Sequence, residues 1–253
     1  MKILQKKINI LFITACTLTI QFDLKSQIPE PYLYYDFDDE SGTTNVIDSS
    51  GKDRNGTVIG NIVFGEEGAP NGSTPNSGAA FSLGGTGHIN VVGSDAPTDF
   101  GNRDQGISAS YTMACWIKPD ASSFTGDRFI FGQGSQGIHH GFRNGVIYHA
   151  HWGSDFSGQS VLNADEWAHL AFTYDSEAGR GAIYVNGKFD AEMPAQQGPN
   201  GGGSLIIGGR NGGGQNFVGL IDDLAIWQAV LEEDQIKALT EGLSPSGRNN
   251  EDD

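Results

Sequence analysis

Apolar and polar positions alternate most clearly in residues 167–191. Leu170, Phe172 and Tyr174 interleave with Ala171 and Thr173, the period-two pattern of a strand buried on one face. Gly179-Arg180-Gly181 supplies a turn, and residues 182–185 return as a second strand. Asn186-Gly187 follows, the dipeptide a type I′ turn requires because both central residues need positive φ. A third strand runs on to Ala191, so the stretch predicts an antiparallel meander.

The same pattern recurs along the chain. Strands are expected at 32–37 (Tyr35 and Phe37 inward), 61–64, 79–83, 88–92, 111–118, 129–132, 204–208 and 217–227, with a hairpin at Asn144-Gly145. Residues 231–241 carry the one helical periodicity, with Ile236 and Leu239 inward and Gly242 just past its end. Between strands lie loops rich in Gly, Pro, Asn and Ser, notably 65–78. The fold class is therefore all-β and antiparallel, with one short C-terminal helix. Residues 27–243 form the single domain and 244–253 an acidic disordered tail.

Composition narrows the partners. With 15 Lys and Arg against 31 Asp and Glu the net charge is −16, which disfavours nucleic acid and anionic membranes. Residues 1–26 open with Lys2, Lys6 and Lys7 ahead of an apolar run too short to span a bilayer, the pattern of a signal peptide. A secreted, periplasmic or cell-surface location is expected. Cleavage after Ser26 removes four Lys and one Asp, so −16 becomes −19. The alternative is lipoprotein anchoring at Cys16, since Ile13-Thr14-Ala15-Cys16 resembles a bacterial lipobox. With residues 1–26 gone, Cys115 is the one remaining cysteine. It shares a strand face with Met113 and Ile117 and reads as a small buried hydrophobe.

Several segments together resemble the laminin-G-like, concanavalin A-like lectin/glucanase jelly-roll family. They are Trp167-Ala168-His169, Tyr184-Val185-Asn186-Gly187, the run from Phe217 through Asp222-Asp223 to Trp227, and the opening Asp36-Phe37-Asp38 with Asp48-Ser49-Ser50-Gly51. The resemblance covers roughly residues 30–242. It implies a two-sheet jelly-roll β-sandwich with one concave face, and ligands met on that face or on the rim loops. The closing segment is also similar to pentraxins, with two departures. Ala171 leaves Cys115 without the partner of the pentraxin disulfide, and Arg210 places a base in the loop where pentraxins hold acidic calcium ligands.

Four constellations could carry chemistry. Retaining glycoside hydrolysis needs two carboxyl groups about 5 Å apart; the E-x-D-x-x-E triplet of laminarinase-like members of the fold is missing, and Asp222 and Asp223 point to opposite faces of a regular strand. A two-residue turn at Asn144-Gly145 sets His140 opposite His149 and Ile138 opposite His151, so three imidazoles share a face. They are expected either to line a groove beside Phe142 and Ile147 or to hold zinc or copper. Calcium is the favoured metal. Asp36, Asp38 and Asp48 lie near the first strand and Asp222 on the last long one, and pairing of those strands would gather hard oxygen ligands. Sugar binding needs aromatic faces beside polar partners. Trp116, Trp167 and His169 are expected away from the core, with Trp152, Asp155 and Phe156 as a rim loop.

The function expected from these residues is a non-catalytic module that binds polysaccharide or glycoprotein glycans, with a structural calcium. A glycan hydrolase or lyase and a protein-binding adhesion domain are the alternatives.

Overall fold

Turn residues and alternation divide the chain into short strands. The computed structural model describes residues 28–38, 44–73, 79–94, 99–133, 135, 137–200, 202–210 and 215–246. The first six strands are β1 (Leu33–Tyr35), β2 (Asn45–Val46), β3 (Gly56–Ile59), β4 (Ile62–Glu67), β5 (Ala79–Gly84) and β6 (His88–Val91). Next come β7 (Tyr111–Pro119), β8 (Asp127–Gln133), β9 (His139–Arg143), β10 (Val146–His151) and β11 (Ser154–Ser157). The chain closes with β12 (Ala168–Asp175), β13 (Arg180–Val185), β14 (Lys188–Pro194), β15 (Leu205–Ile207), β16 (Val218–Trp227) and helix α1 (Glu233–Thr240).

Among the described residues these strands build two antiparallel sheets. One runs β14-β13-β12-β7-β16-β5-β4, with β1 also paired to β16; the other runs β11-β10-β9-β8-β15-β6-β3-β2. The meander expected at 167–191 is β12-β13-β14; its first turn falls at 176–179, ahead of the expected Gly179-Arg180-Gly181, because Arg180 and Gly181 already belong to β13, while both expected Asn-Gly turns hold. Asn186 and Gly187 have φ of 50° and 76°, and Asn144 and Gly145 have 50° and 80°. The architecture is a jelly-roll β-sandwich.

Period two decides which side chains fill it. Leu170, Phe172 and Tyr174 of β12 and Met113, Cys115 and Ile117 of β7 face Ile130, Phe131, Phe142 and Ile147 of the other sheet. Tyr35 and Phe37 join this core, and Cys115 is a buried free thiol. The opposite face of the first sheet is closed by α1. Ala171, Ala114 and Ala225 sit side by side across β12, β7 and β16, and this row of small side chains lets the helix approach. Ile236 and Leu239 drop onto it, flanked by Tyr34 and Trp227. The Gln235 side chain accepts from the Glu232 backbone N–H at 2.8 Å, and Gly242 with φ 91° ends the helix.

Three further expectations change. β2, β3 and β11 have no counterpart in the sequence reading, because two to four residues are too few to display alternation. Ser244 and Pro245 are buried, where a disordered tail was expected to start; residues 247–253 and the leader at 1–26 lie outside the described residues. Asp222 and Asp223 do not follow strand parity. The register shifts between Asp222 and Ala225 and Asp223 takes φ 45°, a bulge that turns both carboxylates toward one loop.

The Asn186-Gly187 turn is tied to α1 by space as well as by φ. A Cβ on Gly187 would lie 2.9 Å from Thr240 Oγ1 and 3.0 Å from the Lys237 Cα. Gly187→Ala is therefore expected to destabilise the fold by about 2 kcal/mol, read as a lower urea midpoint with unchanged slope. An unchanged midpoint would show that the turn and helix are not coupled.

Candidate functional site

His140, His149 and His151 do come together. The hairpin pairs Val146 with Arg143, Ile147 with Phe142 and Tyr148 with Gly141, and the His140 and His149 rings then lie 4.1 Å apart. Their nearest ligand-type atoms all fall within 4.8 Å of one another. Their location differs from the expected groove. They share parity with Phe142 and Ile147, so they point between the sheets, are fully buried and stack with Phe172 and Phe156.

Every imidazole nitrogen has a protein partner. His140 Nδ1 accepts from the Ala150 N–H at 3.1 Å. Its Nε2–H then donates to Tyr111 Oη at 2.9 Å, and Tyr111 in turn donates to His151 Nε2. His151 Nδ1–H donates to the Gln197 carbonyl at 2.8 Å. His149 Nε2–H donates to the Thr173 carbonyl at 3.0 Å, while its Nδ1 accepts from Gln196 Nε2 at 3.1 Å. These partners fix all three tautomers. The lone pairs that zinc or copper would need are already occupied, so a metal would have to break three hydrogen bonds in a dry core.

Trp116 and His169 also lie elsewhere than on an open face. They are cross-strand partners on β7 and β12 with rings 5.3 Å apart. Both are buried in a small cavity shared with Trp227, Leu239 and Pro245, because α1 and the following residues roof that side of the sheet. Trp167 is half-buried just before β12.

The carboxylates near β1 divide by role. β1 pairs with β16 as expected. Asp48 uses Oδ1 to accept from the Tyr34 and Ser50 N–H groups and Oδ2 from that of Arg54, at 3.0–3.1 Å, so it organises its own loop. Asp222 accepts from the Ala69 N–H at 2.8 Å, and Asp223 from Ser73 and the Tyr34 hydroxyl. Burial, then Asp223, push the Asp222 carboxyl up to about 7, with Asp38 adding to the effect. Among the described residues the histidine trio is the one group of three or more metal-type side chains close enough to share an ion; Asp36, Asp38, Asp48 and Asp222 do not converge that far.

The outer face of the second sheet presents Trp152 as its exposed aromatic, over a buried Tyr148 and His139. Residues of opposite parity to the histidines point there. Tyr148 receives the Arg143 guanidinium over its ring at 3.9 Å and donates through its hydroxyl to Asp155 Oδ2 at 2.6 Å. Arg143 also binds Asp127, Nε to Oδ1 at 2.9 Å and Nη2 to Oδ2 at 3.3 Å. His139 lies against Phe129, Tyr148 and Trp152, at 5.3, 5.8 and 6.4 Å between ring centroids.

Trp152 stands at the β10–β11 turn with 54% of its surface exposed, its carbonyl held by Arg103 Nη2 at 2.7 Å. Asp155 Oδ1 is shielded and has no hydrogen-bond partner. Trp152 and Asp155 thus occupy the expected rim, whereas Phe156 turns inward onto His149. His139, Tyr148, Arg143 and Asp127 were not singled out from the sequence. The hairpin register that located His140 and His149 would have found the first three by taking the alternate positions.

The buried histidines give a pH signature. Burial pushes His151 and His169 down to about 3 and holds His140 and His149 well below the usual 6.5, with neighbouring imidazoles adding to it. The unfolded chain takes up these protons below about 6.5, so the stability is complete above that pH and is lost as pH falls toward about 3. Asp222 and Asp223 act with the opposite sign, since their folded carboxyls are raised. Four imidazoles outweigh two carboxyls at about 1.4 kcal/mol per proton per pH unit. Urea titrations are expected to show a net fall of about 2–4 kcal/mol from pH 7 to pH 5. A rise on acidification would contradict the buried network.

Comparison with known proteins places this geometry. Residues 83–237 match the family model described as the concanavalin A-like lectin/glucanases superfamily. Over 106 residues, 38% of this chain, it is 28% identical to the sushi, von Willebrand factor type A, EGF and pentraxin domain-containing protein 1 of Rattus norvegicus. Over 86 residues, 30% of the chain, it is 34% identical to a pentraxin fusion protein of Xenopus laevis. The matched stretches span 3% and 21% of those relatives' own length.

Among solved structures, domain 4 of AbnA, a GH43 extracellular arabinanase from Geobacillus stearothermophilus solved with arabinotriose, superposes with a TM-score of 0.62. That match has 21% identity and covers 84% of this chain and 99% of the domain. The ligand-binding domain of botulinum neurotoxin serotype D, solved with N-acetylneuraminic acid, gives 0.58 at 15% identity over 84% of this chain and 51% of that one. Among the described residues no helix is long and apolar enough to cross a membrane. With the family model spanning most of the sandwich, from the end of β5 into α1, the chain belongs to the concanavalin A-like lectin/glucanases superfamily.

Proposed function

We propose that this protein is a non-catalytic module that binds carbohydrate, free or on glycoproteins, outside the cytoplasm. The contact surface is the outer face of the second sheet around Trp152. One observation carries the reading: a Trp152 ring with 54% exposure stands at the rim with Asp155, whose side chain is 24% exposed. An aromatic face takes the C–H side of a sugar ring, and a fixed acceptor takes a hydroxyl. The Tyr148, Arg143 and Asp127 bonds hold that acceptor and its neighbours in place before any ligand arrives. Two structures of similar fold, the AbnA domain with arabinotriose and the neurotoxin domain with N-acetylneuraminic acid, support a sugar as the ligand class.

The proposal includes a structural calcium at the junction of β1 and β16. Its support is electrostatic. Asp38 acts on Asp222 and Asp36 on Asp223, and hard carboxylate oxygens suit calcium. Asp48, committed to its loop, is a weaker ligand than Asp36, Asp38 and Asp222.

A glycan array of neutral oligosaccharides is expected to give saturable hits that Trp152→Ala weakens at least tenfold and Asp155→Asn weakens severalfold, with an unchanged melting temperature in the exposed Trp152 variant. An array without hits ends the reading. Chelation by EDTA is expected to lower the melting temperature by about 5 °C, reversed by added calcium; no change removes the ion.

A further inference from the structure

A separate cleft of about 320 Å³ opens beside β1, lined by Pro29, Pro31, Tyr32, Lys52, Arg54 and Gln228 among others. None of these residues belongs to the Trp152 patch. The volume lies at the lower end of the range for small-molecule sites. Its charge is unusual for this chain: Lys52 and Arg54 face the cleft against one carboxylate, Glu30, in a protein of net charge −16.

Arg54 is held in place by contacts other than a counter-ion. Its guanidinium lies flat over the Tyr32 ring at 3.8 Å, and Nη1 donates to the Tyr32 carbonyl at 3.4 Å. Nε is buried without a partner, and no carboxylate of the described residues pairs with this side chain. A guanidinium fixed on an aromatic face, with Nη2 not engaged by the described residues, is pre-organised to meet an oxyanion. Lys52 is paired with Glu30 at 3.0 Å, but Glu30 is 82% exposed. Such a surface pair is worth about 0–1 kcal/mol, so a ligand anion can displace Glu30.

The remaining walls favour a sugar over a bare ion. Pro29, Pro31 and Tyr32 give rigid apolar sides. The Gln228 Nε2 is spent on the Asp99 carbonyl at 3.0 Å, which orients its amide oxygen to accept from a hydroxyl. We propose that this cleft binds an acidic saccharide, its carboxylate or sulfate taken by Arg54 and Lys52. The negative field of the whole protein opposes long polyanions, which makes a short acidic oligosaccharide the ligand class.

Calorimetric titration of the protein with trigalacturonate, a sulfated trisaccharide, maltotriose and sodium sulfate tests this. Saturable binding of either acidic sugar, stronger than maltotriose, is expected. Arg54→Gln should weaken it at least tenfold and the exposed Lys52→Gln about threefold, while Trp152→Ala leaves it intact. Preference for trigalacturonate or for the sulfated sugar tells which oxyanion is preferred. The proposal is overturned if neither acidic sugar exceeds maltotriose, if sodium sulfate binds as tightly as the sugars, or if both cation variants bind like the wild type. Loss of acidic-sugar binding in Trp152→Ala also overturns it, by moving that binding to the other surface. Lys52→Gln keeps the test open if Arg54→Gln fails to fold.

Discussion

The register of the β9–β10 hairpin, set by the positive φ at Asn144 and Gly145, places almost every polar side chain of interest. Odd and even positions must take opposite faces. His140, His149 and His151 therefore go inward with Phe142 and Ile147, while His139, Tyr148 and Arg143 go outward. A slip of one residue would exchange the two sets, sending Tyr148 and Arg143 into the core and three imidazoles to the surface. The inward set can be buried because Tyr111, Gln196 and three backbone carbonyl or amide groups satisfy every ring nitrogen.

The two sheets use their outer faces differently, for a reason visible in side-chain size. On the first sheet, Ala171, Ala114 and Ala225 form a low row that admits α1. That helix covers Trp116 and His169. On the second sheet the corresponding surface is built from Tyr148, Arg143, His139 and Trp152, bulky and hydrogen-bonded, and touched at its rim by Arg103 of the one-turn 3-10 helix Arg103–Gln105. The helix closes one outer face, and the other leaves Trp152 exposed.

The fold was legible in residues 167–191 and 111–118 because long strands show alternation and because Asn186-Gly187 and Asn144-Gly145 each demand one turn type. The sites were less legible, for identifiable reasons. Parity showed that the histidines share a face but not which face looks inward; that depended on packing partners such as Phe172, far away in sequence. Trp116 and His169 read as outward-facing, which is correct for the strand, yet a helix more than sixty residues later covers them. Asp222 and Asp223 read as opposed, and the bulge marked by Asp223 at φ 45° undid that. Arg54 and Lys52 carried no motif at all; only the return of β1 against β16 makes the cleft they face.

The chain's four tryptophans offer a direct test of the proposed sugar contact. Trp116 and Trp227 are buried and Trp167 is half-buried, while Trp152 is the most exposed. In a proton–nitrogen correlation spectrum followed through titration with a neutral glycan hit, the Trp152 indole N–H is expected to move saturably while those of Trp116 and Trp227 stay fixed. Saturable movement of Trp116 with a stationary Trp152 would contradict the account, because the ligand would then be reaching the face that α1 closes.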